Sequence, residues 1–317
     1  MSKLKIALTT GDADGIGFEV TAKALSKLGP QKNVQFFLFR ADSADHKYLK
    51  LIDKKFTRIT VDNLEEGLKI EGPYLVDIAS DETPAHWVEI AAKACFKKSL
   101  HGMATAPISK TLIKDAGFKD LGHTDILKRI SKTKHVNMGF AGEKFNVVLA
   151  TGHLPISQIC KHLSFSIVAE ALLRANQLRE ALPITERKKP IGILGLNPHA
   201  GEQGMIGSEE QLIFPNLQSF ANEKKIPIAG PLVPDAAFFP QNWKKYSVYL
   251  AMYHDQGLIP FKMIHGQDSG VHISLGIPFV RTSVDHGTAK DIFGLNRANA
   301  SSMMDAITWS IKLARQQ

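Results

Sequence analysis

Cysteine is nearly missing from this chain: two residues in 317, Cys95 and Cys160, with no short motif joining them. That excludes a disulfide framework and argues against a thiolate metal site. Both lie in apolar stretches, so they read as reduced core residues of a cytoplasmic protein. Long hydrophobic runs are also missing. None approaches the roughly 20 residues that span a bilayer, and the short run after Met1 leads straight into Thr9-Thr10-Gly11, as a first strand does and a signal-peptide core does not. The net charge of +8 has no stripe behind it. Its cations come in short pieces such as Lys54-Lys55, Lys97-Lys98 and Arg187-Lys188-Lys189, without the aromatic interleaving of a nucleic-acid surface. A solvated surface that attracts anionic small molecules fits better. There is no internal repeat and no low-complexity linker, and 317 residues suffice for two lobes.

What is there reads as α/β. Leu4 to Thr10 predicts a strand, Gly11 to Gly17 a glycine loop and Phe18 to Leu28 a helix, but the glycine spacing is neither a dinucleotide fingerprint nor a P-loop. Val34 to Phe39 predicts a second strand and Pro84 to Ser99 a helix. A hairpin is expected from Asn137 to Ala150, a helix from Ser166 to Leu178, a strand from Ile191 to Leu196 and a closing helix from Ser302 to Leu313. Thr124 reads as the N-cap of a helix over 126–130. Tyr246 to Met252 predicts a buried strand, with Gly257 and Pro260 as the turn that ends it.

The chemistry gathers at strand ends. His153, His199 and His254 each follow a predicted strand and adjoin proline, glycine or aspartate. Three imidazoles brought together in that way make a divalent-cation site with an open position. Spacing alone does not distinguish such a site from three unrelated structural histidines. His123, Thr124, Lys262 and Arg281 form a cationic and polar set. Read singly, the two cations are ordinary surface charges; read together, they suit a phosphate or carboxylate, the arginine in bidentate fashion.

Six motifs occur in order: Gly122-His123-Thr124, Thr151-Gly152-His153-Leu154-Pro155, Leu196-Asn197-Pro198-His199-Ala200-Gly201-Glu202, Gly230-Pro231-Leu232-Val233-Pro234-Asp235, Tyr253-His254-Asp255-Gln256-Gly257 and a run from Arg281 through Asp285-His286-Gly287-Thr288 to Ala289. Together they resemble the 4-hydroxythreonine-4-phosphate dehydrogenase family of vitamin B6 biosynthesis, over nearly the whole chain. The resemblance implies an isopropylmalate-dehydrogenase-like two-lobed fold with the active site in the cleft between lobes. A cofactor-side lobe is expected over 1–125 and 275–317, and a dimer-side lobe over 126–274. It implies a homodimer with active sites at the subunit interface, where His153, His199 and His254 from both subunits hold zinc, magnesium or cobalt. His123, Thr124, Lys262 and Arg281 match substrate-binding positions, and His286-Gly287-Thr288-Ala289 is similar to the adenosine-side loop for NAD or NADP. Two departures stand out. The family's Gly-Glu-Pro-Ala-Gly-Ile-Gly becomes Gly11-Asp12-Ala13-Asp14-Gly15-Ile16-Gly17, and a substrate-side asparagine becomes His272, followed by Ser274.

The expected activity is metal-dependent, NAD(P)-linked oxidation of 4-phosphooxy-L-threonine to 2-amino-3-oxo-4-phosphooxybutanoate, which decarboxylates to 3-amino-2-oxopropyl phosphate. Lys262, Asp235 and Asp255 are the candidate proton acceptors, each aspartate also reading as a partner that orients a metal-bound histidine. Alternatives are a dehydrogenase of a four-carbon sugar-acid phosphate (threonate or erythronate 4-phosphate) and a metal-dependent phosphohydrolase. No nucleic-acid or membrane partner is expected.

Overall fold

The computed structural model describes residues 3–266 and 269–317 and divides into two compact units, Met1–Val136 with Gln267–Gln317, and Asn137–Gly266. In the first unit β1 (Leu4–Thr9), β2 (Val34–Ala41), β3 (Arg58–Val61), β4 (Leu75–Ser80) and β5 (Gly102–Thr105) follow in chain order. The second unit holds β6 (Asn137–Ala141), β7 (Asn146–Leu149), β8 (Ile191–Leu194), β9 (Ile228–Leu232) and β10 (Val248–Ala251), after which β11 (Val271–Leu275) and β12 (Val280–Ser283) return to the first.

The strand order of the first unit is β3-β4-β2-β1-β5-β12-β11, parallel from β3 to β12 and closed by the antiparallel β11. Its inner strands β2, β4 and β5 are largely buried because helices such as Gly17–Leu28 and Pro84–Phe96 supply the layers against the sheet. Thr83 caps the second of these helices by accepting from the His86 N–H, and its apolar stripe buries Trp87, Ala91 and Cys95. The second unit runs β6-β7-β10-β8-β9, with β6 and β7 an antiparallel hairpin and the rest parallel. Parallel strands carry their loops at the carboxyl edge, which is where open α/β sheets bind ligands.

Three local expectations are corrected. Gly257 and Pro260 do not end the strand in a turn; they lie inside a helix, His254–His265. Leu258 and Phe261 bury in the core of the second unit, and a Cβ on residue 257 would stand 2.7 Å from Leu149 Cδ2 and Val147 Cγ1, so the glycine lets this helix approach β7. Tertiary packing here overrides the helix-breaking signal. Thr124 is not an N-cap: the helix is His123–Ser131 and its N-cap is Gly122, with no side-chain bond. Cys160 is exposed on the helix Ile156–His162, not in the core, whereas Cys95 is buried as expected.

His265 closes that same helix inside a cluster of Phe145 and Phe261 rings. Its Nδ1–H donates to Phe261 O at 2.9 Å and its Nε2 accepts the Lys144 N–H at 3.1 Å, so the neutral ring fastens the β6–β7 turn. Burial holds its pKa below the ordinary value. The folded state therefore refuses a proton that the unfolded chain accepts near pH 6.5, and the stabilisation, complete above that pH, is lost as pH falls below it. Urea midpoints at pH 7.5 and pH 5.5 are expected to differ more in the wild type than in His265→Gln, and equal differences would remove this histidine from the pH response.

Candidate active site

The three metal-candidate histidines sit at the carboxyl ends of adjacent strands. His153 follows β7, His254 follows β10 and His199 follows β8, and β10 pairs in parallel with both neighbours. Side-chain clamps hold these ends together. Thr151 Oγ1 donates to Met252 O at 2.8 Å. Gln256 Oε1 accepts the Met252 N–H at 2.7 Å, while its Nε2 donates to Gly195 O at 2.7 Å. Glu210 accepts the backbone N–H groups of Leu196 and Asn197 at 2.7 and 2.8 Å, which fixes the entry to the His199 loop.

His153 and His254 meet, with ring centroids 5.0 Å apart. The His254 Nδ1–H donates to Asp255 Oδ1 at 2.7 Å, so Asp255 orients the ring and Nε2 is the candidate ligating atom. His199 stands apart. Its side chain is 66% exposed, and its Nδ1 bonds Glu202 at 3.2 Å. From His199 to Gln203 five successive residues have positive φ, four of them not glycine. Such a run is costly and is kept where the surrounding structure imposes it, commonly at functional sites. Among the described residues no group of three histidine, cysteine or acidic side chains is assembled to hold a metal ion. Asp235 is exposed on the short helix Pro234–Ala237, and Lys262 is exposed on the helix that His254 opens, about 12 Å further along its axis at about 1.5 Å per residue.

The first unit holds a second candidate site, a pocket around Arg281. A cavity of about 360 Å³ is lined by Thr105 to Ser109, His123, Arg281, Ser283, Val284 and His286 to Thr288. Arg281, 3% exposed, projects from β12. Its Nε and Nη2 donate to Thr105 Oγ1 at 3.2 and 2.8 Å, and its Nη1 donates to Ser274 Oγ at 3.1 Å and to His272 Nδ1 at 3.0 Å. Every one of these partners is neutral. Burial without a carboxylate pushes the guanidinium down to about 9. His123 Nε2 is buried with no hydrogen-bond partner, and burial together with Arg281 and His272 holds that imidazole well below its ordinary pKa. A buried cation with only neutral acceptors around it calls for an anion from outside the chain. His272, accepting from Arg281 on Nδ1, carries its proton on Nε2.

The expected cofactor loop forms one wall. His286, Gly287 and Thr288 line the cavity, Ala289 follows in the left-handed conformation, and Thr288 O accepts the Ile16 N–H at 3.0 Å. Thr124 adjoins His123 in the first turn of its helix. Sequence reading missed Thr105, whose hydroxyl takes two Arg281 donors; its only signal was a strand-end position before Ala106-Pro107.

The model of the family described as pyridoxal phosphate biosynthetic protein PdxA matches residues 20–310. The chain belongs to the PdxA family. Two curated relatives called 4-hydroxythreonine-4-phosphate dehydrogenase, from Sulfurihydrogenibium sp. and Aquifex aeolicus, are each 37% identical to it. The first alignment covers 98% of this chain and 99% of the relative, the second 96% of each. A crystal structure of 4-hydroxythreonine-4-phosphate dehydrogenase from Klebsiella pneumoniae superposes with a TM-score of 0.78 at 27% identity, covering 99% of this chain and 98% of that one. A β-decarboxylating dehydrogenase from Thermococcus kodakarensis shares the fold at a TM-score of 0.56 and 13% identity, over 98% of this chain and 83% of that one. PdxA membership makes this chain an oxidoreductase with the α/β fold of those dehydrogenases. No helix among its described residues is long and apolar enough to cross a membrane.

Proposed function

We propose that the protein oxidises the secondary hydroxyl of 4-phosphooxy-L-threonine with a nicotinamide cofactor and a divalent metal. The observation that carries this reading is Arg281, a buried guanidinium with only neutral partners beside the unpartnered Nε2 of His123. A substrate phosphate supplies the missing charge, with Arg281 and His123 as its grip and Thr124, His272 and Lys262 completing the substrate set.

His153 and His254 fit a divalent cation: two neighbouring imidazoles at strand ends, one already oriented by a carboxylate. Zinc, magnesium or cobalt held there would polarise the substrate hydroxyl. His199 is the third ligand of the proposed set, completed across a homodimer. Ile259 and Met263, four residues apart on the helix that His254 opens, are 58% and 77% exposed, an apolar stripe that a second copy would cover. Asp255 is taken up in orienting His254, which leaves Lys262 and Asp235 as proton acceptors. The loss of a carboxylate from a β-keto acid product needs no further group.

His272 favours a second reading, oxidation of threonate or erythronate 4-phosphate, because an imidazole replaces the family's amide beside Arg281. Steady-state kinetics at 340 nm with each phosphorylated acid, NAD and NADP decides between the two. NADH formation fastest with 4-phosphooxy-threonine supports the first reading. Phosphate release without nicotinamide reduction would place the protein among phosphohydrolases instead.

A further inference from the structure

At the amino edge of the first unit's sheet, opposite the carboxyl edge that holds the Arg281 pocket, lies a cavity of about 770 Å³. Its polar walls come from strand starts: Lys3 and Lys5 at the start of β1, Gln35 at the start of β2 and His101 just before β5, with Lys98 from the turn that leads there. Leu68 and Ile70 form its apolar side. The oxidation proposed above makes no use of this space.

The walls are fastened to one another. The Lys5 N–H donates to His101 Nδ1 at 3.0 Å and the His101 N–H donates to Lys5 O at 2.8 Å, which leaves the proton of the neutral ring on Nε2 as a donor. Gln35, 3% exposed, donates to Ile70 O at 3.1 Å, and Lys5 Nζ donates to Leu68 O at 3.3 Å, so the apolar side is tied to the sheet. Lys98 has a φ of 62°, a left-handed conformation that favours glycine, yet the residue there carries an amine.

These walls lack a counter-charge. Three ammonium groups line the cavity with one acid, Glu71, and among the described residues no carboxylate lies within 4.0 Å of any of the three. Elsewhere Lys23, Lys93 and Lys189 each hold a glutamate at 3.0 Å or less. Like charges gathered in a cleft without a partner repel one another and raise the local concentration of anions, and a phosphate among them accepts from several donors at once.

We propose that this cavity is a second ligand site, for an organic phosphate whose phosphate group sits among Lys3, Lys5 and Lys98 and whose apolar body lies against Leu68 and Ile70. Its size is that of an ordinary small-molecule pocket, and a few placed polar groups beside apolar surface are how such pockets fix a ligand. The site is separate from the substrate pocket: His101 precedes β5, and Thr105, which holds Arg281, ends the same strand.

Equilibrium titration of the full-length protein with 1-naphthyl phosphate, followed by the probe's fluorescence, tests this without turnover. Saturable binding is expected in the wild type, and the double variant Lys3→Gln, Lys98→Gln should weaken it about tenfold or more, because two charge-assisted contacts are lost. 1-Naphthol, the same body without the phosphate, should bind about tenfold or more weakly than its phosphate. Arg281→Ala should bind the probe as the wild type does, and 4-phosphooxy-L-threonine should not displace it. Absence of saturable binding at millimolar concentration, an unchanged affinity in the double variant or equal affinities for 1-naphthol and its phosphate would each overturn the proposal. Loss of the probe in Arg281→Ala, or its displacement by 4-phosphooxy-L-threonine, overturns it too, since the probe then sits in the substrate pocket. Should the double variant fail to fold, Lys98→Gln decides alone, an unchanged affinity counting against the site. None of these outcomes bears on the dehydrogenase reading.

Discussion

Arg281→Ala is expected to raise KM for the phosphorylated substrate by on the order of a hundredfold or more. Removing one partner of a buried charge pair costs about 2–5 kcal/mol, and about 1.4 kcal/mol is a factor of ten. The guanidinium is 3% exposed and held by Thr105, Ser274 and His272, so an alanine leaves a hole that no neighbouring cation fills. Arg281→Lys should recover only part of the loss, because an ammonium cannot reach Thr105, Ser274 and a phosphate at once. KM is the diagnostic quantity: an interaction made equally in ground and transition states changes KM and leaves kcat in place. Unchanged KM in a folded Arg281→Ala protein would take this residue out of the site.

His254→Ala should nearly abolish turnover and lower bound metal while leaving the fold intact, since a core of this size does not depend on a catalytic ion. His153→Ala and His199→Ala should do the same. The geometry adds a sharper demand. Among the described residues His199 is not assembled with the His153–His254 pair, and the proposed three-histidine set is therefore one completed by a second chain. Mixing inactive His199→Ala and His254→Ala proteins under conditions that exchange subunits should restore activity, because one pocket of each mixed dimer then has all three ligands. Random reassortment makes half the dimers mixed, which sets a ceiling of about a quarter of wild-type activity from two-fold symmetry. No recovery despite proven exchange would place both residues' ligation in the same subunit, and full metal content in the single variants would dissolve the triad.

Much of this was legible in the chain, and the misses have physical reasons. Strand periodicity and the hairpin across 141–143 were readable because buried parallel strands are nearly continuous apolar runs and turns are rich in glycine. The histidines' common place after strands was readable too, but that β7, β10 and β8 are neighbours was not, since strand order is set by crossovers and not by sequence distance. Gly257 and Pro260 misled because local breaker signals ignore what a helix packs against; the close approach to β7 makes the glycine a requirement. Cys160 misled because an apolar sequence neighbourhood includes surface helices.

The most direct test of the central claim is the stoichiometry of a single incubation. Purified protein, stripped of metal and then given zinc, magnesium or cobalt, is supplied with 4-phosphooxy-L-threonine and NAD, and NADH and carbon dioxide are measured together. The account predicts one NADH formed and one carbon dioxide released per substrate consumed, with neither appearing until metal is restored and with the phosphate ester intact in the product. Inorganic phosphate released without NADH, or NADH formed at an undiminished rate in the stripped protein, would contradict it.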